Sequence, residues 1–391
     1  MADTKALALP LGLRMATAAF LTVWAVVALF PLAWTALMSF RLPVDALAGN
    51  PLTVLAGPET LARAGGLSPL AMLLGVGAFV LFYRLPGLAG AAVAGRLAPR
   101  GNMALGWLAA GLLYAALGVA TALWLLPALV GALQATLAPV PVLGWLARPL
   151  VGVTWEHYAS VWIKNGFWRN FDNSMLVTFG VVSVSLTVGT LAGYGLARAR
   201  STLAFWLLIM ALIFRALPYS VLVAGYLPVF IGSRELLAPV LGAAAPTLYG
   251  QPWAVIMVLV AINQPFTIWM LRSFFQNIPA ELDEAARVDG CSHFEAFWRV
   301  IMPVMWPGVI TTGLFSFLLA YNDYLVTALL LDAQSQTMGP AISSFLNRDT
   351  STTDQIEAIA AAVSITAPLF VLVMVFQKQI VSGLTLGAVK G

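Results

Sequence analysis

The sequence predicts an all-α, polytopic membrane protein with about eight transmembrane helices. Three observations carry that reading. Of 391 residues, 61% are hydrophobic and only 9% charged, whereas a soluble domain carries roughly 25% charged residues. Apolar runs near the ~20 residues that cross a bilayer core recur at 16–38, 67–83, 103–130, 174–196, 203–230, 253–271, 303–331 and 358–376. Between the sixth and seventh runs, residues 281–303 hold five acids (Glu281, Asp283, Glu284, Asp289, Glu295) and two arginines (Arg287, Arg299). A polar helix-forming insert between two spans must stand in water, where another molecule reads it.

Taken in order, the first run follows Lys5 and Arg14 as a secretory signal would. It is too long for a signal's apolar core of about 7–15 residues, and no small-x-small site follows cleanly, so it is a retained helix. The second run is the shortest, and the third and fifth contain prolines that soften their ends. The loop between the second and third carries Arg84, Arg96 and Arg100 and no acids, which fits the cytoplasm. With eight spans both termini share one side. Segments on that side hold twelve Lys and Arg, those on the opposite side seven. Basic residues accumulate inside, so both termini and the polar insert are expected in the cytoplasm.

Composition also excludes. The net charge of +4 is small and its basic residues are dispersed, which is no footprint for nucleic acid. One cysteine, Cys291, forbids an internal disulfide framework. Two histidines, His157 and His293, leave no basis for a His-rich metal or proton-relay site. Within the spans only Arg215 and Asp323 are clearly ionisable, and such groups usually face a bundle interior or a wet cavity. Arg215 has a second reading, in which it snorkels or satisfies a broken carbonyl beside Pro218. Asp323, in Tyr321-Asn322-Asp323-Tyr324, either lines a translocation path or caps an unwound turn.

The insert has internal punctuation. Pro279 presets a first helical turn, Glu281 and Asp283 favour its positive end, and Gly290 is a natural stop. A second helix from about Ser292 places Phe294, Phe297, Trp298 and Ile301 at three- and four-residue spacing, and Pro303 marks entry to the next span. The product is a short helix, a glycine elbow and an amphipathic helix returning to the membrane. Its small residues let a partner's groove approach the backbone, while the acids and Arg287 orient it.

Glu284-Ala285-Ala286, three residues, Gly290, nine residues, then Val300-Ile301-Met302-Pro303 closely resembles the coupling-loop signature of ABC importer permeases. Val300 and Met302 stand where that pattern has Ile and Leu. The ending 377–391 resembles the tail of the carbohydrate branch, in particular the maltose-type G subunit. Asn173-Ser174 and Ala192-Gly193-Tyr194-Gly195-Leu196-Ala197-Arg198 also resemble that branch. The resemblance covers 155–391 and, weakly, the first span. It implies a six-helix type I importer core, with two inserted helices, that forms half of a sugar-conducting pore in a bacterial inner membrane.

The same resemblance implies partners and site residues. Glu284, Ala285, Ala286, Arg287, Asp289 and Gly290 would dock in a cleft of a cytoplasmic ABC ATPase, present in two copies. The tail Gly387, Ala388, Val389, Lys390 and Gly391 would reach towards that ATPase pair, unless it is simply a solvated end. Phe345, Leu346 and Asn347, in the 332–354 connector, match a loop that enters the cleft of an extracytoplasmic sugar-binding protein; an ordinary polar connector is the other reading. A second, maltose-type F-like permease would complete the pore. Tyr321, Asn322, Asp323 and Trp269 have chemistry suited to a polyhydroxylated solute such as an α-glucoside or disaccharide. The chain carries no Gly-x-x-x-x-Gly-Lys-Ser/Thr run, so no P-loop cradles a nucleotide. It is therefore expected to be no enzyme and to bind no cofactor or metal, with ATP and Mg held by the partner ATPase.

Three regions follow: 1–40 with the first span, an inserted 41–150 with two added spans, and a core of 151–391 with its coupling loop at 272–303. The insertion is read either as peripheral packing and lipid contact or as a docking surface for a partner. Rival functions are an ion-coupled secondary transporter using Asp323, a membrane-embedded enzyme, and an ABC permease for a non-sugar solute such as glycerol phosphate.

Overall fold

The computed structural model describes residues 11–97, 103–199, 201–215, 219–346 and 351–386. These form two compact units, Met1–His157 and Tyr158–Gly391, so the first helix belongs with the inserted region. Among the described residues the only strands are two of two residues each. Among the described residues five helices are long and apolar enough to cross a membrane: Gly12–Ser39, Ala109–Leu137, Phe167–Arg198, Pro252–Gln276 and His293–Tyr321. A bent pair, Val221–Ile231 and Ser233–Ala244, makes a sixth candidate. Pro69–Leu85 and Thr202–Arg215 are shorter apolar helices, and Thr352–Leu386 closes the described chain with 35 residues.

Two expected spans are not single helices. The fifth run divides into Thr202–Arg215 and Tyr219–Ile231, and the chain then turns by 55° into the next helix. The seventh run stops at Tyr321 and resumes as the short Leu325–Leu330 helix. At its other end the boundary expected at Pro303 is absent. A π-turn at Phe297–Ile301 leads directly into Met302–Tyr321. The wider turn accommodates the proline's missing donor and carries the insert into the span without a stop.

In the first unit the inserted region closes on its own base. Arg41 is fully buried. Its Nε donates to the Val54 carbonyl at 2.7 Å and its Nη2 to that of Leu55 at 2.6 Å, while Nη1 donates to the Gly152 carbonyl. Two of these carbonyls belong to the last turn of the Pro51–Ala56 helix, where the dipole favours a cation. Burial draws the Arg41 guanidinium below its ordinary pKa range, and neighbouring Asp45 opposes that shift. Asp45 in turn accepts from the Thr60 amide at 2.6 Å and its hydroxyl at 2.7 Å, satisfying free donors of the Pro58–Ala64 helix. Gly66–Leu67 pairs antiparallel with Val151–Gly152, and the Thr154 amide donates to the Phe40 carbonyl at 2.9 Å.

In the second unit, Phe167–Arg198 packs along Pro252–Gln276 and also contacts Met302–Tyr321. Glycines set the approach. A Cβ on Gly189 would lie 2.6 Å from Thr267 Cγ2, and one on Gly193 would lie 3.1 Å from the Arg272 backbone nitrogen. This four-residue spacing of small residues lets membrane helices close on each other. A buried polar seam joins the same helices: Asn263 Nδ2 donates to Ser316 Oγ at 2.8 Å, with Thr267 Oγ1 3.3 Å from that hydroxyl.

Replacing Gly193 with Val should therefore destabilise the second unit by roughly 1–3 kcal/mol, the usual cost of overpacking. A lower thermal transition of the detergent-solubilised protein checks it. Arg41→Met should lower stability in the first unit by about 3 kcal/mol, because three buried carbonyls lose charge-assisted donors. Protease nicking within 41–67 reads that loss.

Candidate functional site

The polar insert forms the helix Glu281–Val288, with Glu281, Asp283 and Glu284 in its first turn. It ends in a double reverse closure: the Gly290 amide donates to the Arg287 carbonyl at 3.1 Å and the Cys291 amide to that of Ala286 at 3.0 Å. Gly290 sits at φ +91°, a conformation that favours glycine. Ser292 then opens the next helix with a capping box. Its hydroxyl accepts from the Glu295 amide at 3.2 Å, and the Glu295 carboxylate accepts from the Ser292 amide at 3.0 Å. The Ser-x-x-Glu spacing that signals this box is present in the sequence.

The short helix has an anchored face and a free face. Ala286 is buried and Asp283 half-buried, whereas Glu284, Ala285, Arg287 and Asp289 are exposed. Val288, Phe294 and Trp298 are exposed by 88%, 67% and 62%, so the free side carries large apolar groups among charges. A patch of that composition suits a protein partner.

Arg198 and Tyr194 make the anchor. They stand four residues apart in the last turns of Phe167–Arg198 and therefore share a face. Arg198 Nε lies 2.8 Å and Nη2 2.7 Å from Asp283 Oδ2, while the Tyr194 hydroxyl donates to Asp283 Oδ1 at 2.5 Å. Arg198 Nη1 also donates to the Ile278 carbonyl at 3.1 Å, just past the end of Pro252–Gln276. One guanidinium thus ties two spans to the first turn of the insert. The Tyr194 ring is wedged between Phe275 and Phe297, with centroids at 5.5 and 4.8 Å, above a buried cluster that includes Leu271, Ile301 and Met305.

A family model for the binding-protein-dependent transport system inner membrane component covers residues 185–385. The chain belongs to that family. As an inner membrane component, it is 35% identical over 242 residues to the diacetylchitobiose uptake system permease protein DasC of Streptomyces coelicolor, covering 61% of this chain and 82% of that one. It is 30% identical to the maltodextrin transport system permease protein MdxG of Bacillus subtilis, over 61% and 81% of the two chains. It is also 30% identical to the trehalose transport system permease protein SugB of Mycobacterium tuberculosis, over 61% and 83%. The residues matched by the family model include Tyr194, Arg198 and the whole insert, and exclude 41–150.

Other candidate residues of the component lie elsewhere. Tyr321 is a core side chain, stacked on Phe317 at 5.1 Å with its hydroxyl donating to the Ile365 carbonyl at 2.7 Å. Asp323 accepts from the Thr327 amide at 3.0 Å, tying the unwound turn to the helix that follows. It shares a cavity of about 420 Å³ with Asn322. Trp269 is 42% exposed on Pro252–Gln276. Phe345 is buried, 6.3 Å from Phe167, and Leu346 is exposed. Asn347 and the tail Gly387, Ala388, Val389, Lys390 and Gly391 lie outside the described residues. Among the described residues no group of His, Cys, Asp and Glu could hold a metal ion.

Reading the sequence singled out Tyr194 and Arg198 inside a motif without giving them a task. Helix spacing alone offers Arg287, four residues on, as the partner of Asp283; the fold supplies Arg198 from 85 residues away. Arg198→Met or Asp283→Asn should speed amide exchange across 281–288 by more than tenfold, since a charge-assisted hydrogen bond is worth about 1.5–3 kcal/mol. Hydrogen-exchange mass spectrometry measures this directly.

Proposed function

We propose that this chain is the membrane permease subunit of a binding-protein-dependent ABC importer for saccharides. It forms half of the translocation pore in the inner membrane, with both termini and the polar insert on the cytoplasmic side. The observation that carries the reading is the Glu281–Val288 helix, clamped on one face through Asp283 and free on the other with Ala285 and Val288. Only a helix held this rigidly converts a push on its free face into movement of the spans behind it. Family membership supports the same reading.

Energy arrives from outside the chain. Two copies of a cytoplasmic ATPase hold ATP and Mg and grip the insert between Glu284 and Gly290. Their closure pushes the clamped helix, and Arg198 passes that displacement to Phe167–Arg198 and Pro252–Gln276 together. A second permease subunit supplies the other half of the pore, and an extracytoplasmic binding protein delivers the sugar. The sugars named for the relatives, diacetylchitobiose, maltodextrin and trehalose, favour a glycosidically linked di- or oligosaccharide as cargo.

The test is uptake by the reconstituted complex in proteoliposomes, using labelled diacetylchitobiose, maltotriose and trehalose. Uptake of at least one should require ATP and persist after the proton gradient is collapsed; dependence on the gradient instead would mean a secondary transporter. Gly290→Val forces a β-branched residue to φ +91°, a strain of about 1–3 kcal/mol. This variant should keep its ATPase partners and their basal hydrolysis but transport several-fold less sugar per ATP.

A further inference from the structure

Arg215 is a cation within an otherwise apolar stretch of the chain. It ends the Thr202–Arg215 helix, which begins four residues beyond Arg198 and the coupling clamp. Thirteen residues at the helical rise of 1.5 Å put it about 20 Å above that end. Its guanidinium lies over the Phe266 ring, 4.8 Å from the centroid, and Phe266 stands ten residues before Gln276, about 15 Å from the same end of its own helix. Two independent helices therefore give Arg215 a depth near the middle of a hydrocarbon core about 30 Å thick.

Among the described residues no carboxylate lies within ion-pair distance of Arg215. The Phe266 face stabilises the cation but accepts none of its five N–H donors in an ordinary hydrogen bond. An unpaired guanidinium at this depth is too costly against lipid tails, so the surface that bears it must meet water or a polar group. That surface is aromatic: Trp269 lies 6.2 Å and Phe315 6.0 Å from the Phe266 ring, and Trp269 is 42% exposed.

Resting on the permease reading above, we infer that Arg215, Phe266, Trp269 and Phe315 form a mid-membrane subsite on the pore-facing side of this subunit that contacts the passing saccharide. The aromatic faces take the apolar faces of sugar rings, and the Arg215 fork donates to their hydroxyl or carbonyl oxygens. Cation–π contact holds the guanidinium in place while leaving its donors free. No bond is made or broken, and the contact stays weak enough for release. Snorkelling to an interface is not what the side chain does, because it is folded back onto Phe266.

Thiol accessibility tests the placement without knowledge of the cargo. In the reconstituted complex, carrying Cys291→Ser, Trp269→Cys is compared with Ile213→Cys. Ile213 is 59% exposed and lies two residues from Arg215, about 160° away around the helix. A charged, membrane-impermeant methanethiosulfonate should modify Trp269→Cys during ATP turnover and leave Ile213→Cys unmodified. Equal protection of both, or modification of Ile213→Cys alone, overturns the assignment.

Function is read separately. Arg215→Met should reduce uptake of labelled diacetylchitobiose, maltotriose or trehalose, whichever the parent carries, by at least tenfold with basal ATP hydrolysis retained. Arg215→Lys, which keeps the charge but not the fork, should fall between. Parent-like uptake by Arg215→Met overturns the subsite. A parent complex that moves no saccharide in an ATP-dependent way defeats the permease reading instead, and the accessibility result still decides which face is wet.

Discussion

The ion pair between Arg198 and Asp283 is the contact through which the polar insert acquires a fixed position. A short helix of eight residues in water has little stability of its own, because nucleation costs more than a few hydrogen bonds return. Here its first turn is gripped by a guanidinium that also holds the Ile278 carbonyl, and by a tyrosine hydroxyl on the same carboxylate. Both side chains of the pair are mostly shielded, with 22% and 14% of their surface exposed, so the attraction is less screened than that of a surface pair. Everything attached to the insert therefore moves with the ends of two spans.

The remainder of the second unit reinforces that rigidity. Gly189 and Gly193 bring Phe167–Arg198 against Pro252–Gln276 closely enough that a methyl group would collide. The Tyr194 ring fills the junction with Phe275 and Phe297, and the π-turn at Phe297–Ile301 makes the returning helix continuous with its span. Displacement of the insert has no flexible joint on that side in which to dissipate. The breaks lie instead at the 55° bend after Ile231 and at Asn322, away from the clamp.

The inserted region uses a different economy. It has few buried apolar side chains, and its fold is organised by Arg41 and Asp45, which satisfy the loose ends of two short helices. Arg41 also ties the start of the insertion to its end, through the Gly152 carbonyl.

Membrane class, the helical nature of each apolar run, the glycine stop at Gly290 and the coupling signature around Glu284 were all legible from residue order. Each depends on local chemistry: apolar length, the left-handed tolerance of glycine, or spacing along one helix. Long-range partners were not legible. Asp283 has a plausible local partner in Arg287, yet it binds Arg198; Arg215 reads as a snorkelling end residue, yet it lies over Phe266; Phe345 reads as a loop residue, yet it packs on Phe167. The unwound turn at Asn322 was one of two readings of Asp323, and the fold decides for it, with Asp323 accepting from the Thr327 amide. The residue sequence by itself determined which segments are helices, which of them are apolar enough to cross a membrane and where the polar insert interrupts them. Tertiary structure alone decided which charges meet and which faces stay free, because those depend on helix approach distances and rotations that no local propensity encodes.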